Sequence, residues 1–480
     1  MTYRQVTEWS TARDADYEEP APPAFETRIH ARFSGEPPLA GRATWDEVFS
    51  SDFDETECSE TTRVRHFLAH GSYGLASRAA VAASVGWTRS VERNPVAFFY
   101  KTLYPRLVRS LRAAAAFTHA DPSGCVLVAN VEEGFACVWA SLSKAWNHGD
   151  RVIAFDLGYS ACLAALRKVC LERGCHLVLI DTVATTSETG ITRDSVLHAF
   201  KQTVETQLQR TDMGPIRMAF FEHITSPTAL VLPIEEIIST CREHGILSLV
   251  DGAHGIGQID LHLDALAPDF YVTNMHKWLC NTRGSALLYI HPTHRTKIHP
   301  LITTWGSLST EGLHAEFIWQ GTANHSAHLS LYTAVRLMQW LARGDPARLF
   351  ARNTCLTREA GRVLTYVWAT EPLTRDENMV AAMVCVRIPP RLAAAQACET
   401  EACGVSDLHD DLLEKLGIEC PVFTFRGKRY VRVSSHVYND MQDVFALAEG
   451  VLRSLGYPDN HVAFQRLQEE RGGEKVFFIE

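Results

Sequence analysis

The sequence predicts an α/β protein built on a mostly parallel sheet with helices on both faces, followed by a smaller C-terminal domain. Two observations carry this. From Gly124 to about Leu288 short apolar strands alternate with helical segments, and continuously apolar strands between helices belong to a parallel sheet covered on both sides. The polar residues suited to chemistry fall just past the ends of those strands, where open α/β sheets bind ligands. At 480 residues the chain exceeds one compact core. We divide it into an extension (1–60), a large domain (61–330), a small α+β domain (331–460) and a tail (461–480).

In chain order, residues 1–60 read as an irregular extension, because Pro20, Pro22, Pro23, Pro37 and Pro38 interrupt any helix and Ser50 to Glu60 is an acidic run. His66 to Gly74, HFLAHGSYG, reads as a strand entering a Gly-Ser turn. Ala79 to Ala116 is helical with a break at Asn94-Pro95. Strands are expected at Cys125 to Asn130, Arg151 to Asp156, His176 to Asp181, Ile216 to Ile224 and Ile246 to Asp251. Helices are expected at Val131 to Trp146, Ala161 to Arg173, Asp194 to Leu208 (with Asp194 as its cap) and Ile234 to Gly245. A long amphipathic helix, Ser326 to Arg343, ends at Gly344 and leads to the small domain. That domain has strands near Val380 to Ile388 and Tyr430 to Ser434, and helices near Asp407 to Leu416 and Met441 to Leu455.

Composition narrows the function classes. Hydrophobic content of 46%, charged content of 21% and a net charge of −10 fit a globular enzyme and disfavour nucleic acid as a partner. No apolar run reaches the roughly 20 residues of a membrane span, and the N-terminus lacks the apolar core of a secretory signal. The 13 cysteines form no C-x-x-C pair, which points to reduced thiols in a cytoplasmic protein and to no metal site.

The most informative stretch runs from Val250 to Ile290. Asp251 closes an apolar run, and a second short run, Phe270 to Val272, leads into Asn274, His276 and Lys277. A carboxylate ending a buried strand needs a cationic partner. A lysine among Met275, Trp278 and Leu279 is desolvated toward a reactive free amine. These two groups suit pyridoxal 5′-phosphate (PLP): the acid keeps the pyridine nitrogen protonated, and the amine forms a Schiff base with the aldehyde. His254 is placed to meet the phenolic oxygen, Tyr159 to stack on the ring, and Asn274 and His276 to meet the phosphate.

These residues resemble a known family. DGAHxxG, then DFYVTNxHKWL with GSALL shortly after, is similar to the class V aminotransferases (fold type I PLP enzymes). The branch of isopenicillin N epimerase-like and hercynylcysteine sulfoxide lyase-like proteins is the nearer match. HGSYG at 70–74, TSPTA at 225–229 with Pro233, Trp319-x-Gly321-Thr322, and Arg432-Val433-Ser434 with Tyr438-Asn439 resemble further motifs of that branch, in order over residues 63–455. The resemblance implies a seven-stranded large-domain sheet and a homodimer. Lys277 would be the Schiff-base lysine and α-proton base, with Asp251 and His254 on the ring and Tyr159 stacked. Asn274, His276, Thr322 of the second subunit and the helix start at Val131 and Glu132 would meet the phosphate. Arg432 would hold the carboxylate of a small amino-acid substrate, with Ser72 and Tyr73 at the mouth. The chain departs from the family at Ala69, at Asn130-Val131-Glu132 (where Asn-Ala-Thr is usual) and at Ala323-Asn324. The reaction is expected to be β-elimination from a cysteine conjugate or sulfoxide. Other outcomes remain open: a desulfurase (Cys420, Cys398 or Cys403 as thiol), an epimerase (Tyr73, His70 or His325 as second base), an aminotransferase, and a non-catalytic protein of the same fold.

Overall fold

A computed structural model describes residues 2–49, 64–182, 190–392, 408–473 and 477. The acidic run at Ser50 to Glu60, Cys398 and Cys403, and the expected helix start at Asp407 lie outside them. The strands are β1 (His66–Phe67), β2 (Cys125–Val128), β3 (Arg151–Phe155), β4 (His176–Ile180), β5 (Ile216–Glu222), β6 (Leu247–Asp251), β7 (Phe270–Asn274), β8 (Ala286–Ile290), β9 (Met383–Arg387), β10 (Ile418–Glu419), β11 (Val422–Phe425) and β12 (Lys428–Ser434).

The large sheet has seven strands in the order β2-β8-β7-β6-β5-β3-β4. Strands β3 to β7 pair in parallel, and β8 runs antiparallel to both β2 and β7. Every residue of β3, β7 and β8 is buried, which is why these strands read as continuous apolar runs. Two buried clusters cover the faces. One holds Phe155, Phe200 and Phe221, the other Phe135, Trp139 and Phe220. The C-terminal domain packs the Pro346–Trp368 helix and the Met441–Ser454 helix around the three-stranded sheet β11-β12-β9.

Two expectations are corrected. Residues 2–49 are not irregular. A helix at Tyr3–Thr11 starts with a Thr2–Gln5 capping box, and another at Ala24–His30 begins directly after Pro23. Proline before the first turn fixes the entry to a helix without breaking it. Tertiary contacts then hold the segment in place. Glu26 is fully buried against Arg109, whose Nη2 donates at 2.8 and 2.7 Å, and against the Trp87 indole. The Arg193–Leu208 helix is capped by Thr192, in a reciprocal pair with Ser195, and not by Asp194. Asp194 lies one residue inside the helix, where its charge still meets the positive end of the helix dipole.

Candidate functional site

The carboxyl ends of β5, β6 and β7 converge with β12 and the turn after β1. Asp251, the last residue of β6, is 2% exposed. Its Oδ1 accepts the Ala253 N–H at 2.9 Å, and the Cys162 thiol lies 3.7 Å from Oδ2. Burial pushes its carboxyl up to about 6, against the Ala253 N–H and the positive charge of Lys277, which pull it down.

Lys277 follows β7. Burial lowers its amine to about 8, partly offset by Asp251. Its Nζ lies 3.3 Å from His254 Nε2, and the Trp278 indole lies 3.2 Å from His254 Nδ1. An indole N–H only donates, so Nδ1 accepts and the ring proton sits on Nε2. Burial holds His254 well below its ordinary range, so the ring is neutral. Where the Lys277 amine is uncharged, His254 Nε2–H donates to it.

The backbone under Lys277 is braced by the turn after β1. His70 bridges the Tyr438 hydroxyl (2.7 Å) and the Lys277 carbonyl (3.0 Å). Gly74, at φ +70°, packs so closely that a Cβ there would lie 2.1 Å from the His276 carbonyl oxygen. The glycine serves the lysine loop rather than a ligand.

Arg432, on β12, is 6% exposed. It donates to the Ser226 carbonyl and, at 2.8 Å, to Ser72 Oγ, while its Nε meets no partner. Among the described residues it forms no ion pair, so a buried guanidinium fork awaits an anion. Tyr73 beside it is 74% exposed.

The residues expected at a phosphate are only partly assembled. Asn274 Oδ1 accepts the Val131 N–H at 3.2 Å, which uses one helix-start amide and leaves the Asn274 amide nitrogen to donate. His276 Nδ1 is buried without a partner, and burial lowers the ring to about 4. The first turn of the Val131–Leu142 helix carries two acids, Glu132 and Glu133. Glu133 folds back onto the Ala129 N–H at 2.6 Å. Glu132 is exposed, and its charge reaches Asp251, Lys277 and Tyr159, so it faces the site. Thr322 is exposed and hydrogen-bonds to none of these residues. The donor set fits PLP at the ring and lysine, and fits a phosphate less fully.

Three contributors escaped the sequence reading. The Trp278 indole fixes the His254 tautomer, and His70 braces the Lys277 carbonyl. Glu222 ends β5 beside Asp251, buried, with Oε1 accepting the Tyr159 N–H at 3.2 Å. Glu222 repeats the pattern that identified Asp251, an acid closing an apolar strand. A separate cavity of about 500 Å³, lined by residues including Glu133, Arg283, Asn324 and His328, does not reach Lys277.

The family description "Aminotransferase class-V" matches residues 107–447. A probable chloroplastic L-cysteine desulfhydrase of Arabidopsis thaliana is 26% identical, over 80% of this chain and 82% of that protein. Isopenicillin N epimerase of Streptomyces clavuligerus is 25% identical, over 80% and 93%. Among solved structures, the cystine C-S lyase C-DES in complex with cysteine persulfide shares the fold. Its TM-score is 0.66 at 20% identity, over 84% of this chain and 99% of that one. The cysteine desulfurase CsdA of Escherichia coli shares it with a TM-score of 0.64 at 19% identity, over 84% and 99%.

Proposed function

Because the chain belongs to the class V aminotransferase family of PLP-dependent enzymes, we propose that it is a C–S lyase performing β-elimination on a cysteine conjugate or sulfoxide. The observation that carries this reading is the Lys277 amine, lowered by burial and 3.3 Å from His254 Nε2, at strand ends that also carry buried Asp251 and an Arg432 without an ion pair among the described residues. That set holds an amino acid and removes its α proton, and elimination from cysteine needs no further side chain. The relatives named as desulfhydrases support it.

When bound, the cofactor supplies an electron sink for negative charge at the substrate's α carbon. Asp251, ionised, would hold the proton on the ring nitrogen, and Tyr159 and His254 would hold the ring and its phenolic oxygen. Arg432 binds the substrate carboxylate and fixes the α C–H toward Lys277. Lys277 Nζ takes the α proton, and the β C–S bond breaks with sulfur keeping the electron pair. With a value near 8, about a tenth of the amine is free at pH 7, against roughly a thousandth or less for an ordinary lysine.

A desulfurase needs a mobile reactive thiol. Cys420 is fully buried, its thiol faces the Arg432 carbonyl at 3.7 Å, and burial pushes its ionisation far up. For an epimerase, His70 is committed at both ring nitrogens, and His325 packs against Phe99 and Trp319. Tyr73 remains as a second base.

The protein works as a homodimer in this reading, with Thr322 completing the second subunit's phosphate site. In support, the neighbouring Trp305 and Leu308 are 72% and 90% exposed, and Trp305 stacks on Trp319. Among the described residues no helix is long and apolar enough to cross a membrane. Ten free cysteines among them are consistent with a reducing, cytoplasmic setting.

Product analysis with S-substituted cysteines and free L-cysteine tests the reaction. Pyruvate, ammonia and the released thiol or sulfide in equal amounts are expected. Alanine with a protein persulfide, or α-deuterium exchange without loss of sulfur, would refute the lyase.

A further inference from the structure

Two carboxyls, not one, close the strands beneath Lys277. Glu222 and Asp251 are register partners on parallel neighbouring strands, so their side chains leave the same face of the sheet. Glu222 is 3% exposed. Its Oε1 accepts the Tyr159 N–H at 3.2 Å. Its Oε2 is buried with no partner.

The titratable and charged groups facing Glu222 come from four elements. They are Asp251 on β6, Lys277 after β7, Arg432 on β12, and Cys162 with Tyr159 at the start of the Ser160–Arg173 helix. Neither cation pairs with it. Lys277 contacts His254, and Arg432 donates to Ser72 and Ser226. A buried carboxylate oxygen with no donor is far costlier than an O–H with no acceptor, and two adjacent buried carboxyls do not both ionise readily. Burial, and then Asp251, hold Glu222 well above the usual carboxylate range. Asp251 ionises first.

We propose that Glu222 is a positioning residue of the ring site: it works as a neutral carboxylic acid, fixes Tyr159 through the backbone N–H, and leaves Asp251 as the single negative charge under the ring. This rests on the PLP reading above, so the test includes an arm that needs no cofactor.

Glu222→Gln keeps an acceptor oxygen and stays neutral at every pH, whereas Glu222→Ala removes the anchor. Thermal melts of the full-length, cofactor-free chain at pH 5 and pH 8 form the first arm. A group whose folded value is raised costs stability as pH climbs above its unfolded value. The Gln variant is therefore expected to gain on wild type by about 2 °C or more between the two pH values. A gain that is equal at both, or that falls with pH, overturns the neutral acid. Cofactor titration is the second arm. Gln is expected within about twofold of wild-type affinity, and Ala about fivefold to tenfold weaker, the loss of one hydrogen bond. Equal losses in Gln and Ala would show that charge matters and overturn the proposal, as would an Ala variant matching wild type. Wild-type protein that binds no cofactor while the melt difference persists overturns the ring role and leaves the acid pair standing.

Discussion

The two ends of the site are built differently. At the ring end, Asp251, Glu222, His254 and Lys277 come from strand ends and the segments that directly follow them; the first three are buried and Lys277 is half-buried. The Trp278 indole fixes the His254 tautomer there. At the opposite end, Glu132 and Thr322 are exposed, two acids crowd one helix start, and His276 holds an unpaired nitrogen. A parallel sheet delivers side chains to one edge with the precision of its register. Loops and a helix start deliver them with less precision, and in the proposed dimer Thr322 of the partner subunit would complete the phosphate site.

Substitutions separate the two ends. Asp251→Asn keeps the shape but removes the charge at the ring nitrogen, and turnover is expected to fall about 100-fold, some 3 kcal/mol of lost electron-sink stabilisation. Steady-state kinetics checks it, and a loss below about fivefold would move the essential charge elsewhere. The pH dependence of cofactor loading comes next. Loading needs the free Lys277 amine, whose value is lowered to about 8, and ionised Asp251, raised to about 6. Its rate should rise about a hundredfold from pH 6 to pH 8 and then level off, followed by stopped-flow absorbance. Arg432→Lys replaces a planar fork with a point charge and is expected to raise KM about tenfold, with kcat changed less. The smallest effect belongs to the phosphate end. Glu132→Thr removes an exposed charge and should tighten cofactor binding about threefold with turnover per bound cofactor unchanged.

The legibility of these ends in sequence followed the same division. Strands β2 to β7 announced themselves as apolar runs, and Asp251 and Lys277 stood out because each interrupts such a run with a charge. Glu222 interrupts β5 in the same way, but its meaning depends on β5 lying beside β6, a non-local fact that no local pattern carries. Trp278 looked like desolvating bulk, and only the fold shows its indole aimed at His254. Residues 2–49 were misread because proline density was taken as disorder. Whether a helix survives there depends on tertiary partners such as Arg109 for Glu26, which lie far along the chain. At the phosphate end, the Glu132 departure was visible in sequence, and the structure shows its charge reaching the site.

Borohydride reduction of the cofactor-loaded protein, followed by peptide mass mapping, tests the central claim most directly. Reduction fixes the cofactor on the amine that holds it. A pyridoxyl-phosphate mass increment on the peptide containing Lys277, absent in Lys277→Ala, is the expected result. A label on any other lysine, or an unchanged label in Lys277→Ala, would contradict it.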